Sequence, residues 1–120
     1  MAYLKDYSTG RTLLTIEGNY IRDYATGRNN YTINGDRLID YATGRTIYVV
    51  DSDGVRDYVT GRRLLTITSN QVRSYATGRT LSIYDSSTIK DYSTGRTLYK
   101  IDGFLSKRET VILLALLFAV

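Results

Sequence analysis

The feature that most restricts this chain is a 17-residue period. Units open at Leu4, Ile21, Leu38, Val55, Val72 and Ile89 and follow one another without a linker: LKDYSTGRTLLTIEGNY, IRDYATGRNNYTINGDR, LIDYATGRTIYVVDSDG, VRDYVTGRRLLTITSNQ, VRSYATGRTLSIYDSST and IKDYSTGRTLYKIDGFL. A unit this short cannot bury an apolar face alone, so the copies must lie side by side and share one core. Each copy carries two turn signals. The first is Tyr-x-Thr-Gly-Arg, in which Thr-Gly between two β-prone runs suits a three-residue hairpin loop: a type I turn, then a left-handed Gly such as Gly78 forming a bulge. The second turn varies (EGN, NGD, DSDG, TSNQ, DSST, DGF) and is rich in Gly, Asn, Asp and Ser, as tight turns require. Two turns per copy predict two strands per copy, and six copies predict twelve antiparallel strands in a meander.

Alternation assigns the faces. The residue opening each copy is always aliphatic and shares a face with the Asp two positions on. On the second strand the matching face carries Thr12, Leu14 and Ile16, or Thr97, Tyr99 and Ile101. This is the expected inner face. The outer face then shows the motif Tyr, a basic residue and a Leu such as Leu13 or Leu98, packed together with cation–π contacts. An apolar Leu pointing outward fits this assignment least well, and a one-residue slip would invert it.

The chain ends in SKRETVILLALLFAV, Ser106 to Val120. Ser106-Lys107-Arg108-Glu109 fits a capping box. From Val111 onward no side chain is polar, and a helix apolar all round must be surrounded by apolar groups. Its length from Glu109, roughly 18 Å at 1.5 Å per residue, falls short of the roughly 20 apolar residues that span a membrane. A core helix and a tail dipping into a membrane are both compatible with this pattern, and the core helix agrees better with the repeat. Twelve strands about 4.8 Å apart and tilted about 40° close into a barrel of radius roughly 12 Å, wide enough for one helix and a layer of wall side chains. Closure also removes the exposed edges of an open sheet. The expected fold is therefore mainly β: a closed antiparallel meander barrel over residues 4–105, with residues 106–120 as a buried hydrophobic helix, the whole forming a single domain.

The chain of 120 residues has no Cys, His, Pro or Trp, twelve Tyr and a net charge of +4. Without Cys or His it lacks the commonest nucleophile, general base and metal ligands. Its Ser and Thr hydroxyls have no obvious activating partner. Asp51-Ser52-Asp53-Gly54 opens like a calcium loop but lacks the later ligands, and a plain turn fits it better. These observations argue against an enzyme and imply no cofactor. The N-terminus lacks the pattern of a signal peptide, so a cytoplasmic protein is expected.

The most visible polar feature is the Thr-Gly-Arg tip. In a meander all six tips lie at one end, so Arg11, Arg28, Arg45, Arg62, Arg79 and Arg96 form a basic ring, answered in part by Asp6, Asp23, Asp40, Asp57 and Asp91. Such a ring could hold phosphates or lipid headgroups. It could equally be structural, each Arg pairing with an Asp or stacking on a Tyr, because a residue repeated in every copy is often needed to build the copy. Sites that break the repeat (Asn29-Asn30, Ile39, Arg63, Ser74 and Phe104) are more informative. At Ser74 the Asp is missing, which makes Arg62, Arg63, Arg73 and Arg79 the most basic sector and the best candidate anion site. Ile39 replaces a basic residue and could mark a contact patch.

Twelve antiparallel strands followed by a hydrophobic helix, with the Leu/Ala-rich segment TVILLALLFAV and turns ending in NG, DG or DSDG, resemble the tubby C-terminal-like superfamily, which includes tubby proteins, phospholipid scramblases and LURP-one-related proteins. The resemblance implies a helix threaded through a barrel. No phosphoinositide-binding motif of that family matches residue by residue here. The unit DYATGR is also similar to the YD repeats of Rhs-type shells, with Tyr and Asp in the opposite order. The expected function is a non-enzymatic module at anionic lipid headgroups or a membrane surface, giving a peripheral membrane association. The alternative is a structural or protein-interaction repeat domain that oligomerises through its Tyr-rich face. The modest charge argues against nucleic acid as the partner.

Overall fold

A computed structural model describes residues 1–119; Val120, the last residue of the expected helix, lies outside the described residues. The first strand pair is β1 (Ala2–Asp6) and β2 (Thr12–Glu17), followed by β3 (Tyr20–Asp23) with β4 (Asn29–Asn34) and β5 (Arg37–Asp40) with β6 (Thr46–Val50). The second half adds β7 (Gly54–Asp57) with β8 (Arg63–Ile67), β9 (Gln71–Ser74) with β10 (Thr80–Tyr84), and β11 (Thr88–Asp91) with β12 (Thr97–Asp102). Each strand pairs antiparallel with its neighbours in sequence, and β1 pairs with β12, with Leu4 opposite Ile101. The meander is thus a closed barrel, as the repeat predicts.

The wall's inner face is the aliphatic one. Leu4, Ile21, Leu38, Val55, Val72 and Ile89 are all buried, joined by Ile16, Ile33, Val50, Leu65, Ile67 and Ile101. The helix α1 (Lys107–Phe118) runs inside. Ile112, Leu113, Leu114 and Ala115 are each 0 % exposed. Successive helical residues point about 100° apart, so four in a row leave no side of the rod open to water. This excludes a helix lying on the barrel's surface. The capping box forms: the Ser106 hydroxyl accepts from the Glu109 N–H at 3.2 Å, and the Glu109 carboxylate accepts from the Ser106 N–H at 2.9 Å. At the other end the Tyr48 hydroxyl donates to the Ala119 carbonyl at 3.0 Å. The rod, roughly 18 Å long, matches the 21 Å short dimension of the molecule.

Two details differ from the sequence reading. The Thr-Gly loop holds four residues, not three. Asp6 N–H donates to the Arg11 carbonyl and Gly10 N–H to the Asp6 carbonyl, bracketing Tyr7, Ser8, Thr9 and Gly10, and the same pair of bonds recurs in all six copies. Glycine is still needed at the last position, with φ of 73° at Gly78, but the bulge lies elsewhere. It falls at the third residue beyond that Gly: Leu4 faces Leu14 while Lys5 faces Thr12, so Leu13 is the extra residue. Asn30, Ile47, Leu64, Leu81 and Leu98 are its counterparts.

The bulge reverses the alternation. Thr12 and Thr97, expected inside, stand opposite the outer-face residues Lys5 and Lys90. It also accounts for the outward Leu, since Leu64 and Leu81 turn partly back onto the core. Its freed carbonyl then joins neighbouring copies. Tyr24 N–H donates to the Leu13 carbonyl at 3.1 Å, and Tyr7 N–H to the Leu98 carbonyl at 3.0 Å, which repeats the bond across the closing seam.

Candidate functional site at the arginine-bearing end

All six Thr-Gly-Arg loops lie at one end of the barrel. The helix starts at the opposite end, where Lys107 and Arg108 border a cleft of about 440 Å³ with Asp36, Asp51 and Ser52. Its C-terminal residues Leu116, Leu117 and Phe118 therefore emerge, half-buried, toward the Arg-bearing end. Tyr7, Tyr24, Tyr41, Tyr58, Tyr75 and Tyr92 open the loops, between 46 % and 61 % exposed, and those with ring contacts lie on the outer wall. Three are steadied by the wall of the preceding copy: Tyr3 meets Tyr24 edge-on at 6.3 Å, Tyr20 meets Tyr41 at 6.2 Å, and the Arg37 guanidinium lies 5.3 Å from the Tyr58 ring.

The loop acids are not arginine partners. In the first loop one Asp6 carboxylate oxygen accepts from the Thr9 N–H at 3.0 Å and from the Thr9 hydroxyl at 2.7 Å, and the Arg11 N–H donates to the Thr9 hydroxyl oxygen at 3.2 Å. Asp23, Asp40, Asp57 and Asp91 repeat the arrangement with Thr26, Thr43, Thr60 and Thr94. These bonds favour the charged carboxylate. The hydroxyls of Thr9 and Ser8 draw Asp6 below the usual carboxylate range, the Thr60 N–H and hydroxyl do the same for Asp57, and the hydroxyls of Ser93 and Thr94 for Asp91. The spacing Asp-x-x-Thr was the overlooked signal, since an Asp readily holds the backbone N–H and side chain a few residues ahead.

Arg11, Arg28, Arg45, Arg62, Arg79 and Arg96 are left exposed. Among the described residues none of the six forms an ion pair or donates a side-chain hydrogen bond, and none lies over a Tyr ring. The expectation that each would be tied to an Asp or a Tyr is corrected: the carboxylates are already occupied by Thr.

The four-arginine sector divides. Arg62 and Arg79 sit at the rim, Arg79 just before β10 and Arg62 just before β8. Arg73 lies on the outer wall, its guanidinium donating to the Gln71 side chain at 3.1 Å, with no carboxylate partner among the described residues. Arg63 is withdrawn from solvent, its side chain only 13 % exposed, and pairs with Asp51 at 3.1 Å; Arg56 reaches the same carboxylate at 3.3 Å. Arg63 fits there because position 54 is Gly: a Cβ on Gly54 would stand 3.1 Å from the guanidinium and 2.0 Å from the Leu65 carbonyl oxygen. Gly54 thus makes room for Arg63, which serves the wall. Asp51 also accepts from the N–H groups of Asp53 and Gly54, so the DSDG segment is a closed turn. Ile39 is half-buried opposite Thr32 and Thr46. Asn29 accepts from Arg22 at 2.7 Å, whereas Phe104, 84 % exposed, stands bare at the opposite end.

The chain matches no protein-family model, no curated protein sequence and no solved structure.

Proposed function

We propose that this protein is a non-enzymatic module that docks end-on against an anionic membrane surface, with the six Thr-Gly-Arg loops facing the lipid. One observation carries the reading: six exposed arginines without carboxylate partners among the described residues share one end of the barrel with the apolar tip of the central helix. Each basic residue near an anionic surface contributes about 1 kcal/mol. A planar ring lets several loops engage at once. No helix among the described residues is long and apolar enough to cross a membrane, so the contact proposed is peripheral, on the cytoplasmic side. A barrel around a C-terminal helix is also the arrangement that suggested the tubby-like resemblance, which forms part of this proposal.

Co-sedimentation with vesicles tests it. The protein is expected to pellet with phosphatidylcholine vesicles containing phosphatidylglycerol and not with phosphatidylcholine alone. Binding should weaken with added salt and in the Arg62→Ala/Arg79→Ala double variant. Binding indifferent to lipid charge and to both substitutions would end the membrane reading. Self-association through the Tyr-rich outer face, the competing reading, would show instead as a mass that rises with protein concentration in light scattering without lipid.

A further inference from the structure

Five of the six loops show how this backbone holds an anionic oxygen. In each, one carboxylate oxygen receives two hydrogen bonds from a Thr, one from its N–H and one from its hydroxyl, at 2.7 to 3.0 Å. The fifth loop keeps the same frame. Gly78 N–H donates to the Ser74 carbonyl at 2.8 Å and Ser74 N–H to the Arg79 carbonyl at 2.9 Å. Arg79 N–H donates to the Thr77 hydroxyl oxygen at 3.2 Å. Only the acid is replaced. The Ser74 side chain is one atom shorter than Asp and forms no hydrogen bond to Thr77, so the Thr77 N–H and hydroxyl proton have no acceptor within the described residues.

We propose that the 74–79 loop is a binding site for a phosphate oxygen, which takes the position a carboxylate oxygen occupies in the other five loops. The Thr77 hydroxyl oxygen accepts from Arg79 and its proton remains free to donate. Both donors are thus turned toward one point. The charge is favourable as well. Arg73 directly precedes Ser74 and uses one nitrogen on Gln71, the side chain of Arg79 is free, and Arg62 heads the adjacent strand. The carboxylate is missing from the one loop whose wall arginine, Arg73, has no carboxylate partner among the described residues. Charge-assisted bonds to exposed donors support binding of inorganic phosphate in about the millimolar range. The same oxygen chemistry is offered by a free phosphate and by a lipid headgroup. The site rests on the membrane-docking reading only for the second source.

Three variants in the full chain separate the contributions. Ser74→Asp restores the carboxylate. Ser74→Asn offers a neutral acceptor to Thr77 without adding charge. Ser74→Ala removes the hydroxyl and leaves Thr77 free. In amide-resolved NMR titrations with inorganic phosphate, the Thr77 amide should shift saturably in the unmodified protein and in Ser74→Ala. The apparent affinity should fall by about tenfold or more in Ser74→Asp and Ser74→Asn. An unresponsive Thr77, or an equal response in Ser74→Asn, overturns the site even if the protein still pellets with anionic vesicles. In the vesicle arm, Ser74→Asn should lower the fraction bound to phosphatidylglycerol vesicles by about half, with the other five loops still engaged. A phosphate response in Thr77 alongside unchanged vesicle binding supports the site with free phosphate as its source. Vesicle binding absent in every variant removes the membrane reading and leaves the phosphate site standing.

Discussion

The two ends of the barrel differ in whether their acidic residues reach the bases of the wall. At the Arg-bearing end, Asp6, Asp23, Asp40, Asp57 and Asp91 turn inward on their own loops, each held by a Thr three residues on. At the helix-entry end three acids reach out to the bases of the wall, Asp102 to Lys5 at 2.7 Å, Asp51 to Arg56 and Arg63, and Glu17 to Arg22 at 3.8 Å, while Asp85 stays on its own turn with Ser87 and Thr88. The wall bases are thereby partly neutralised while the rim arginines are not. Net charge alone would never show this. What matters is which hydrogen-bond donors already occupy each carboxylate.

The largest expected effect concerns what both ends share, the enclosed helix. Leu113→Asp places a charge at a site with no exposure and no partner, a cost of several kcal/mol. The expected result is loss of the cooperative thermal transition and of barrel circular dichroism. Retention of both would show that the rod can leave the barrel without penalty. Leu114→Ala should keep the fold and lose about 3 kcal/mol in urea denaturation.

The next effect separates the ends. Gly54→Ala, at the irregular end, drives a Cβ into the Leu65 carbonyl and the Arg63 guanidinium, and should cost about 3 kcal/mol. Gly78→Val, at the regular end, meets open space and suffers only from its left-handed backbone, at about 1–2 kcal/mol. Denaturation midpoints in the reverse order would mean that the Gly54–Arg63 packing does not constrain the wall.

A pH effect should distinguish one loop from its neighbours. Asp6, Asp57 and Asp91 have depressed pKa values in the folded protein. A depressed folded-state pKa contributes stability above the unfolded-state value and loses it as pH falls through the folded-state value. Below about pH 4 the amides of Thr9, Thr60 and Thr94 should shift and exchange faster, while that of Thr77, which faces no carboxylate, should not titrate in this range. A matching acid transition at Thr77 would contradict the distinction. The smallest effect on stability belongs to Arg79→Ala, within about 0.5 kcal/mol because the side chain has no partner. A larger loss would show that the rim arginines are structural after all.

Much of this architecture is legible in the chain itself. The strict 17-residue spacing yields the twelve strands, the aliphatic opening residues mark the inner face, and an apolar rod of matching length requires closure. The loop of four residues was less visible, since Asp-x-x-Thr and Tyr-x-Thr-Gly-Arg overlap and the second motif suggests a shorter turn. The bulge at Leu13 and its counterparts left one mark, an apolar residue where the alternation points outward, without showing its cause. It arises where two strands meet in register, and it moved Thr12 and Thr97 to the other side of the wall. The candidate site was half visible: Ser74 stands out as a missing acid, but the two donors at Thr77 become apparent only beside the intact loops.

Local chemistry repeated along the chain determined the strands, their inward face and the need for an enclosed helix, because periodicity and burial act residue by residue. The partners of each charge were decided only by the closed barrel. There Arg63 can lie across Gly54 to reach Asp51, and the loop acids are filled by Thr before any arginine arrives. Those contacts depend on register and on distances across neighbouring strands, which no single stretch of sequence contains.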